Sequence, residues 1–250
     1  VSAAGPIRLV PLGDLPEVAP GDDLAALLAE AAARAGVRLV GGALVVAQKI
    51  VSKAEGRLVA LADVVPSDEA RRIAAEDDKD PRHVEVVLRE TVRVVRRGHR
   101  VLICETRHGF VCANAGVDLS NAPGEDVAVL LPEDPDASAR RLRDALREGD
   151  APLAVIVSDT FGRPWREGLV DVALGCAGLA PLDDQRGERD RGGRELLVTS
   201  MATPDQLAAA AGLLMEKAAG VPAVWIEGVA VEGDGALRDL LRDPATDLFR

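Results

Sequence analysis

The stretch that most limits what this chain can fold into is "LAVIVSDTFGRPWREG", residues 153–168. Five apolar residues in succession, Leu153 to Val157, read as a strand buried on both faces. The run passes straight into a carboxylate and a hydroxyl, Asp159 and Thr160, and then into a basic turn. Side chains at the end of a buried strand sit on a rigid element, so this edge is expected to hold something. Gly162 is expected to allow a tight turn and Pro164 to restrict the backbone leaving it, aiming Arg163 or Arg166 back at the same place. Read alone, Asp159 serves equally well as the cap of a turn.

The rest of the core must be aliphatic, because aromatic residues make up 2% of the chain and Tyr is absent. "IRLVPLG" predicts a short strand and turn, and "DDLAALLAEAAARAG" an amphipathic helix with Asp at its cap and Gly at its end. "ALVVAQKIVSK" predicts a β-branched strand running into polar residues. Residues 66–97 predict two charged helices separated near Pro81. "RVLICETRHGFVCANAGVD" predicts two strands around a turn at His108–Gly109. "DPDASARRLRDALREG" and "PDQLAAAAGLLMEKAAG" predict helices, and "PAVWIEG" a last strand. No repeat, low-complexity tract or linker interrupts the mixture. The fold class is therefore mixed α/β (α+β), with residues 1–250 as one domain or two subdomains whose boundary the sequence does not mark.

Charge excludes some functions. The chain carries 30 Lys and Arg against 41 Asp and Glu, a net charge of −11. It lacks the electrostatic footprint of a nucleic-acid binder, and any anion it binds must be met by clustered basic residues or by cations. Three cysteines, Cys104, Cys112 and Cys176, form no CxxC pair and read as reduced, buried thiols of a cytoplasmic protein. The apolar runs are too short to span a bilayer, and no secretion signal opens the chain. Its first residue is Val1 and not a methionine, which suggests a processed or trimmed start. No GxxxxGK[ST], GxGxxG or HExxH motif is present.

Three polar clusters flank strand-like runs: "QKIVSKAEGR" with Lys49, Lys53, Glu55 and Arg57; "ETRHGFVCANAGVDLSN" with Asn114, Asp118, Ser120 and Asn121; and the opening stretch. If the strands before Asp118 and Asp159 are neighbours, two carboxylates and a hydroxyl converge. Hard oxygen ligands of this kind suit Mg or Mn better than Zn. Two such ions can neutralise a polyphosphate on an acidic protein. Each residue also has an ordinary reading. Asp118 suits an Asx-turn, Lys53 a solvated surface, His108–Gly109 a hairpin tip, and Trp165 a packing anchor.

Taken in order, "LPEV", "KIVSKAEGR", "ETRHGFVCANAGVDLSN", "LPEDPDASA", "SDTFGRPWREG", "GERD", "GREL" and "DLFR" resemble the coenzyme F420:L-glutamate ligase family. The resemblance runs over essentially the whole chain, from about residue 7 onwards. It implies a GTP-dependent enzyme that adds L-glutamate to the deazaflavin precursor F420-0, built as an intertwined homodimer with active sites near the subunit interface. Asp118 and Asp159 match the family's metal-binding aspartates, and Thr160 matches a ligand of a second metal; these three form the expected catalytic group. Lys53, Asn121 and the segment Leu15, Pro16, Glu17 and Val18 match nucleotide contacts. Gln48 stands where many relatives carry a Ser or Thr that touches the nucleotide. Lys217, in the nucleotide-side segment "MEKAAGVP", stands where some relatives carry Gln, and Leu169 and Gln185 replace residues that are commonly polar and aromatic. The implied cofactors are two divalent cations, Mg or Mn, together with a monovalent cation such as potassium.

The chemistry so implied is transfer of the GTP γ-phosphoryl to a carboxylate, then attack of the glutamate amine on the acyl phosphate. Positioning and electrostatic stabilisation are the protein's task. Arg163 and Arg166 are expected, from charge and turn geometry, to hold substrate carboxylate or phosphate. The alternatives are another nucleotide-dependent carboxylate–amine ligase, or a non-catalytic nucleotide- or metal-binding module. The chain reads as a stand-alone ligase or as the ligase half of a fusion with a reductase domain.

Overall fold

The computed structural model describes residues 5–216, 220–243 and 245–247. In chain order the described elements are β1 (Arg8–Leu12), α1 (Leu24–Arg34), β2 (Gly42–Ala47), α2 (Gln48–Ala54), β3 (Leu58–Ala60), α3 (Asp68–Asp77), α4 (Pro81–Arg89), β4 (Thr91–Gly98), β5 (Val101–Thr106) and β6 (Val111–Ala113). They continue with β7 (Val127–Val129), α5 (Pro135–Leu146), β8 (Leu153–Arg163), β9 (Arg166–Ala177), β10 (Leu182–Asp184), β11 (Ser200–Ala202), α6 (Thr203–Gly212) and β12 (Ala223–Glu227). The mixed α+β class read from the sequence is what these elements form. No described helix is long and apolar enough to cross a membrane.

A five-stranded sheet in the order β1-β12-β2-β8-β9 organises the chain. Its central pair, β2 and β8, is parallel and its other pairs are antiparallel. Successive side chains point to opposite faces. Leu44, Val46, Val155 and Val157 therefore pack with residues of α1 and α5 on one side. Ala43, Val45, Ala154 and Ile156 pack with α6 on the other. Because both faces are covered, these strands read as unbroken apolar runs. Each fully buried Val, Leu or Ile contributes roughly 1.5–3 kcal/mol from its area removed from water. A third cluster joins α3 and α4 to β5 through Ile73, Val84, Val87 and Leu102.

Several expectations are corrected. The strand does not end at Asp159–Thr160: β8 continues to Arg163, and only its buried part stops at Ser158. Gly162 lies within that strand. The chain reverses at Pro164–Trp165, where Trp165 takes φ +59°, and returns as β9. Trp165 is 80% exposed at that tip and anchors no core. The strand at 43–53 stops at Ala47, and the remainder is the short helix α2. The second helix of 66–97 ends at Arg89, after which Thr91–Gly98 is a strand. The helix expected over 204–220 is described only to Gly212; Lys217 lies outside the described residues. The hairpin at His108–Gly109 forms, and the three cysteines are buried.

One close approach fixes how α5 meets the sheet. A Cβ on Gly175 would lie 2.2 Å from the Pro135 carbonyl carbon and 2.6 Å from the Asp136 nitrogen. At the same junction Asp136 Oδ1 accepts hydrogen bonds from the Cys176 and Leu237 amides, both at 2.9 Å. Gly175→Ala is expected to destabilise the fold by about 2–3 kcal/mol through overpacking against backbone. Gly98→Ala, where nothing lies within 4 Å, should stay within about 0.5 kcal/mol of wild type. Thermal denaturation of the two variants checks this, and an unchanged Tm for Gly175→Ala would contradict the contact.

Candidate active site

Parallel pairing brings the site together. Ala47, the last residue of β2, lies opposite Ser158, where the parallel pairing with β8 ends, so Gln48 of α2 and Asp159 follow side by side. Ligands of α/β sheets characteristically bind beyond such strand ends. Here the ends open into a cleft of about 860 Å³. Asp118 comes from a different part of the chain. Its backbone is locked to Val129 by two hydrogen bonds, 3.0 and 2.9 Å, which fix its carboxylate on the opposite wall.

Leu15, Pro16, Glu17, Val18, Gln48, Lys53, Asp118, Asn121, Asp159 and Thr160 all border this one cleft, with Leu169 at its rim. Gln185 belongs to the β10–β11 ribbon outside it and donates to Asp183 Oδ2 at 3.1 Å. Arg163 and Arg166 do not line the cleft either. The reversal at Pro164–Trp165 carries them past it, and Arg163 Nη2 donates to the Glu167 carbonyl at 2.8 Å.

The cleft also holds residues that were not among the expected site residues, although Lys49 stood in the first polar cluster. Lys49 is one helical turn before Lys53, so both ammonium groups project from the same side of α2. Lys49 Nζ lies 2.6 Å from Asp118 Oδ2 and donates to Ser120 Oγ at 2.8 Å. Lys53 Nζ lies 2.5 Å from Glu17 Oε1. The i,i+4 spacing of the two lysines was the available signal, hidden because 48–54 reads as the tail of a strand. Asp171 is the second such residue: on β9 directly across from Thr160, it accepts that hydroxyl's proton at 2.6 Å. Cys112 is the third. Burial and the nearby Asp159 charge push its thiol up to about 12.

The carboxylates are held in different states. Burial pushes Asp118 upward, but hydrogen bonds from Lys49 and Ser120 outweigh it and hold the carboxyl below its ordinary value. Asp159 is pushed up to about 6, by burial first and then by the charges of Asp118 and Asp171, against the opposing Thr160 amide and Lys49. Asp159 is thus a half-buried acid facing two other carboxylates. Gln48, buried in the same wall, accepts from Ser52 Oγ at 2.9 Å, while its Nε2 has no partner among the described residues.

These groups fit divalent cations of the Mg or Mn type. The side chains of Asp118, Asp159 and Thr160 offer oxygen alone, and Asp159 faces the charges of Asp118 and Asp171 as well as that of Lys49. Among the described residues no group of three or more His, Cys, Asp or Glu is gathered closely enough to hold a metal by itself. That suits Mg, which characteristically takes one or two carboxylates and completes its shell with water and substrate phosphates.

A family model described as F420-0:gamma-glutamyl ligase matches residues 13–228, a span that contains every cleft residue named above. The chain belongs to this ligase family. It is similar to the coenzyme F420:L-glutamate ligase of Methanothermobacter thermautotrophicus, with 48% identity over 98% of this chain and 99% of that protein. It is also 48% identical to the protein of the same name from Methanopyrus kandleri, over 98% of both chains. The Haloarcula marismortui protein of that name is 44% identical over 94% of this chain and 93% of its own length. In this member of the ligase family, the segments around Glu17, Gln48, Asp118 and Asp159 border one cleft.

Proposed function

We propose that this chain joins L-glutamate to F420-0 in the cytoplasm at the expense of GTP, through an acyl phosphate. The observation that supports the reading is the convergence on one cleft of segments far apart in sequence, with Lys49 and Lys53 beside Asp118, Asp159 and Asp171 around space for a nucleotide. A carboxylate is a poor electrophile, and an amine does not displace oxide from it at neutral pH. Phosphorylation of the F420-0 carboxylate by GTP supplies a leaving group. The glutamate amine then attacks the carbonyl carbon, the carbon–oxygen bond to phosphate breaks, and an amide forms with release of GDP and phosphate.

In this scheme Asp118, Asp159 and Thr160 would hold two divalent cations, whose charge would offset that of the triphosphate. Lys49 and Lys53 supply donors to phosphate oxygens, and the unpaired Gln48 Nε2 supplies one more. Leu15, Pro16, Glu17, Val18 and Asn121 wall the nucleotide. Arg163 and Arg166, on the exposed hairpin tip, meet the anionic acceptor at the cleft mouth or in a second protomer. A homodimer belongs to the proposal: β4 is an edge strand with Val92, Val94 and Val95 exposed, a surface that calls for a cover.

Nucleotide turnover tests this reading. Repeated turnover of GTP to GDP is expected only when F420-0, L-glutamate and a divalent cation are all present, and faster with GTP than with ATP. Equal use of ATP would shift the assignment to a broader carboxylate–amine ligase. Binding without turnover would leave a non-catalytic module.

A further inference from the structure

We infer that Asp171 is a positioning residue, which fixes the Thr160 hydroxyl so that its lone pairs face the cleft. The inference rests on the reading that Thr160 gives its oxygen to a cation. A threonine hydroxyl has one proton and two acceptor lone pairs. If the proton points at a cation, the group repels it; if the proton is engaged elsewhere, the oxygen becomes a ligand. Thr160 Oγ1 donates to Asp171 Oδ1 at 2.6 Å, within the range of charge-assisted O–H···O⁻ bonds. The proton is thereby committed to β9, and the oxygen is left more electron-rich, as expected when a partner behind a ligand accepts its hydrogen bond.

Two features hold Asp171 to this task. Thr160 and Asp171 are a directly opposed pair in the β8–β9 ladder, so their distance is set by the sheet. The far carboxylate oxygen is confined from the other side: a Cβ on Gly212, the last residue of α6, would lie 2.6 Å from Asp171 Oδ2. The helix therefore ends on a bare residue where the carboxylate rests, and Asp171 has little room to turn away from Thr160.

The test measures Mn²⁺ binding by electron paramagnetic resonance, with a non-hydrolysable imido analogue of GTP present and binding to the analogue alone subtracted. Asp171→Asn is expected to weaken the weaker Mn²⁺ site by about 10- to 100-fold. Thr160→Val should weaken the same site, and Thr160→Ser, which keeps the hydroxyl, should bind as wild type. The double variant, Thr160→Val with Asp171→Asn, should bind no more weakly than Thr160→Val alone, because Asp171 acts through the hydroxyl. Should Asp171→Asn fail to fold, Gly212→Ala asks the same question by displacing the carboxylate from α6, with weakened Mn²⁺ binding expected. Wild-type affinity in Asp171→Asn or, in its place, in Gly212→Ala overturns the inference. So do losses that multiply in the double variant. Absence of Mn²⁺ binding by the wild-type protein overturns the cation reading itself, and is seen before any variant is measured.

Discussion

Asp159→Asn is expected to lower GTP-dependent ligation about 10³-fold while leaving the protein without cations at least as stable as wild type. The two halves of this result have one cause. In the folded protein Asp159 is pushed up to about 6, from an ordinary 3.8, by burial first and then by the charges of Asp118 and Asp171. Below 3.8 the group is protonated folded and unfolded, and it contributes nothing to the pH dependence. Between 3.8 and about 6 the folded state binds the proton more tightly, so stability falls as pH rises through that window. Above it the full deficit remains, at most about 3 kcal/mol. Asn has the same shape and no charge, so the variant should escape this loss. At a pH of about 8 without divalent cation, above the window in which Asp159 loses its proton, its Tm should match or exceed that of wild type, while turnover collapses. A turn cap behaves in the opposite way: Tm falls and the protein that remains folded keeps its activity.

Asp118→Asn should be nearly as damaging, with ligation lowered about 10²- to 10³-fold and the Mn²⁺ concentration for half-maximal rate raised. Asp118 differs from Asp159 in carrying its charge already. Its carboxyl is held below the ordinary value, with Lys49 Nζ at 2.6 Å and the Ser120 amide at 2.8 Å. A lowered carboxyl contributes stability above its unfolded value and loses it as pH falls through the folded one. Across roughly pH 5–8 that contribution is constant, and a pH effect there cannot be mistaken for Asp118. Lys49 is the ammonium group that stands against the Asp118 charge. Rates measured across a Mn²⁺ titration check the prediction; unchanged turnover with unchanged metal dependence would remove Asp118 from the site.

Much of the sheet was legible in the chain. "ALVVA" and "LAVIV" are apolar on every residue because β2 and β8 are covered on both faces. The caps of α1 and α5, Asp23 and Asp134, announce themselves before helical spacing and accept the expected amide hydrogen bonds. What failed were boundaries. Beyond Ser158 the strand β8 is only partly covered, so its pattern no longer says strand. The run Thr91 to Gly98 looked helical for its charge, although its β-branched Thr91, Val92, Val94 and Val95 favour an extended chain.

The site was legible as segments and not as a geometry. No local pattern states that Gln48 emerges beside Asp159; that follows from the parallel pairing of β2 with β8. Nor does "GLVDVALG" mark Asp171, whose meaning depends on lying opposite Thr160. The arginines show the converse. A turn placed at Gly162 would have aimed Arg163 and Arg166 inward, but the continuation of the strand to Arg163 sends them past the cleft.

Oxygen transfer tests the central claim most directly. F420-0 with oxygen-18 in its reacting carboxylate is incubated with the protein, GTP, L-glutamate and Mn²⁺, and the products are weighed by mass spectrometry. If the carboxylate is phosphorylated and then displaced by the amine, one labelled oxygen must leave in the inorganic phosphate, and F420-0 must gain one glutamyl residue for the first GDP formed. Unlabelled phosphate beside a glutamylated product, or GDP released with no amide formed, would contradict an acyl phosphate made in this cleft.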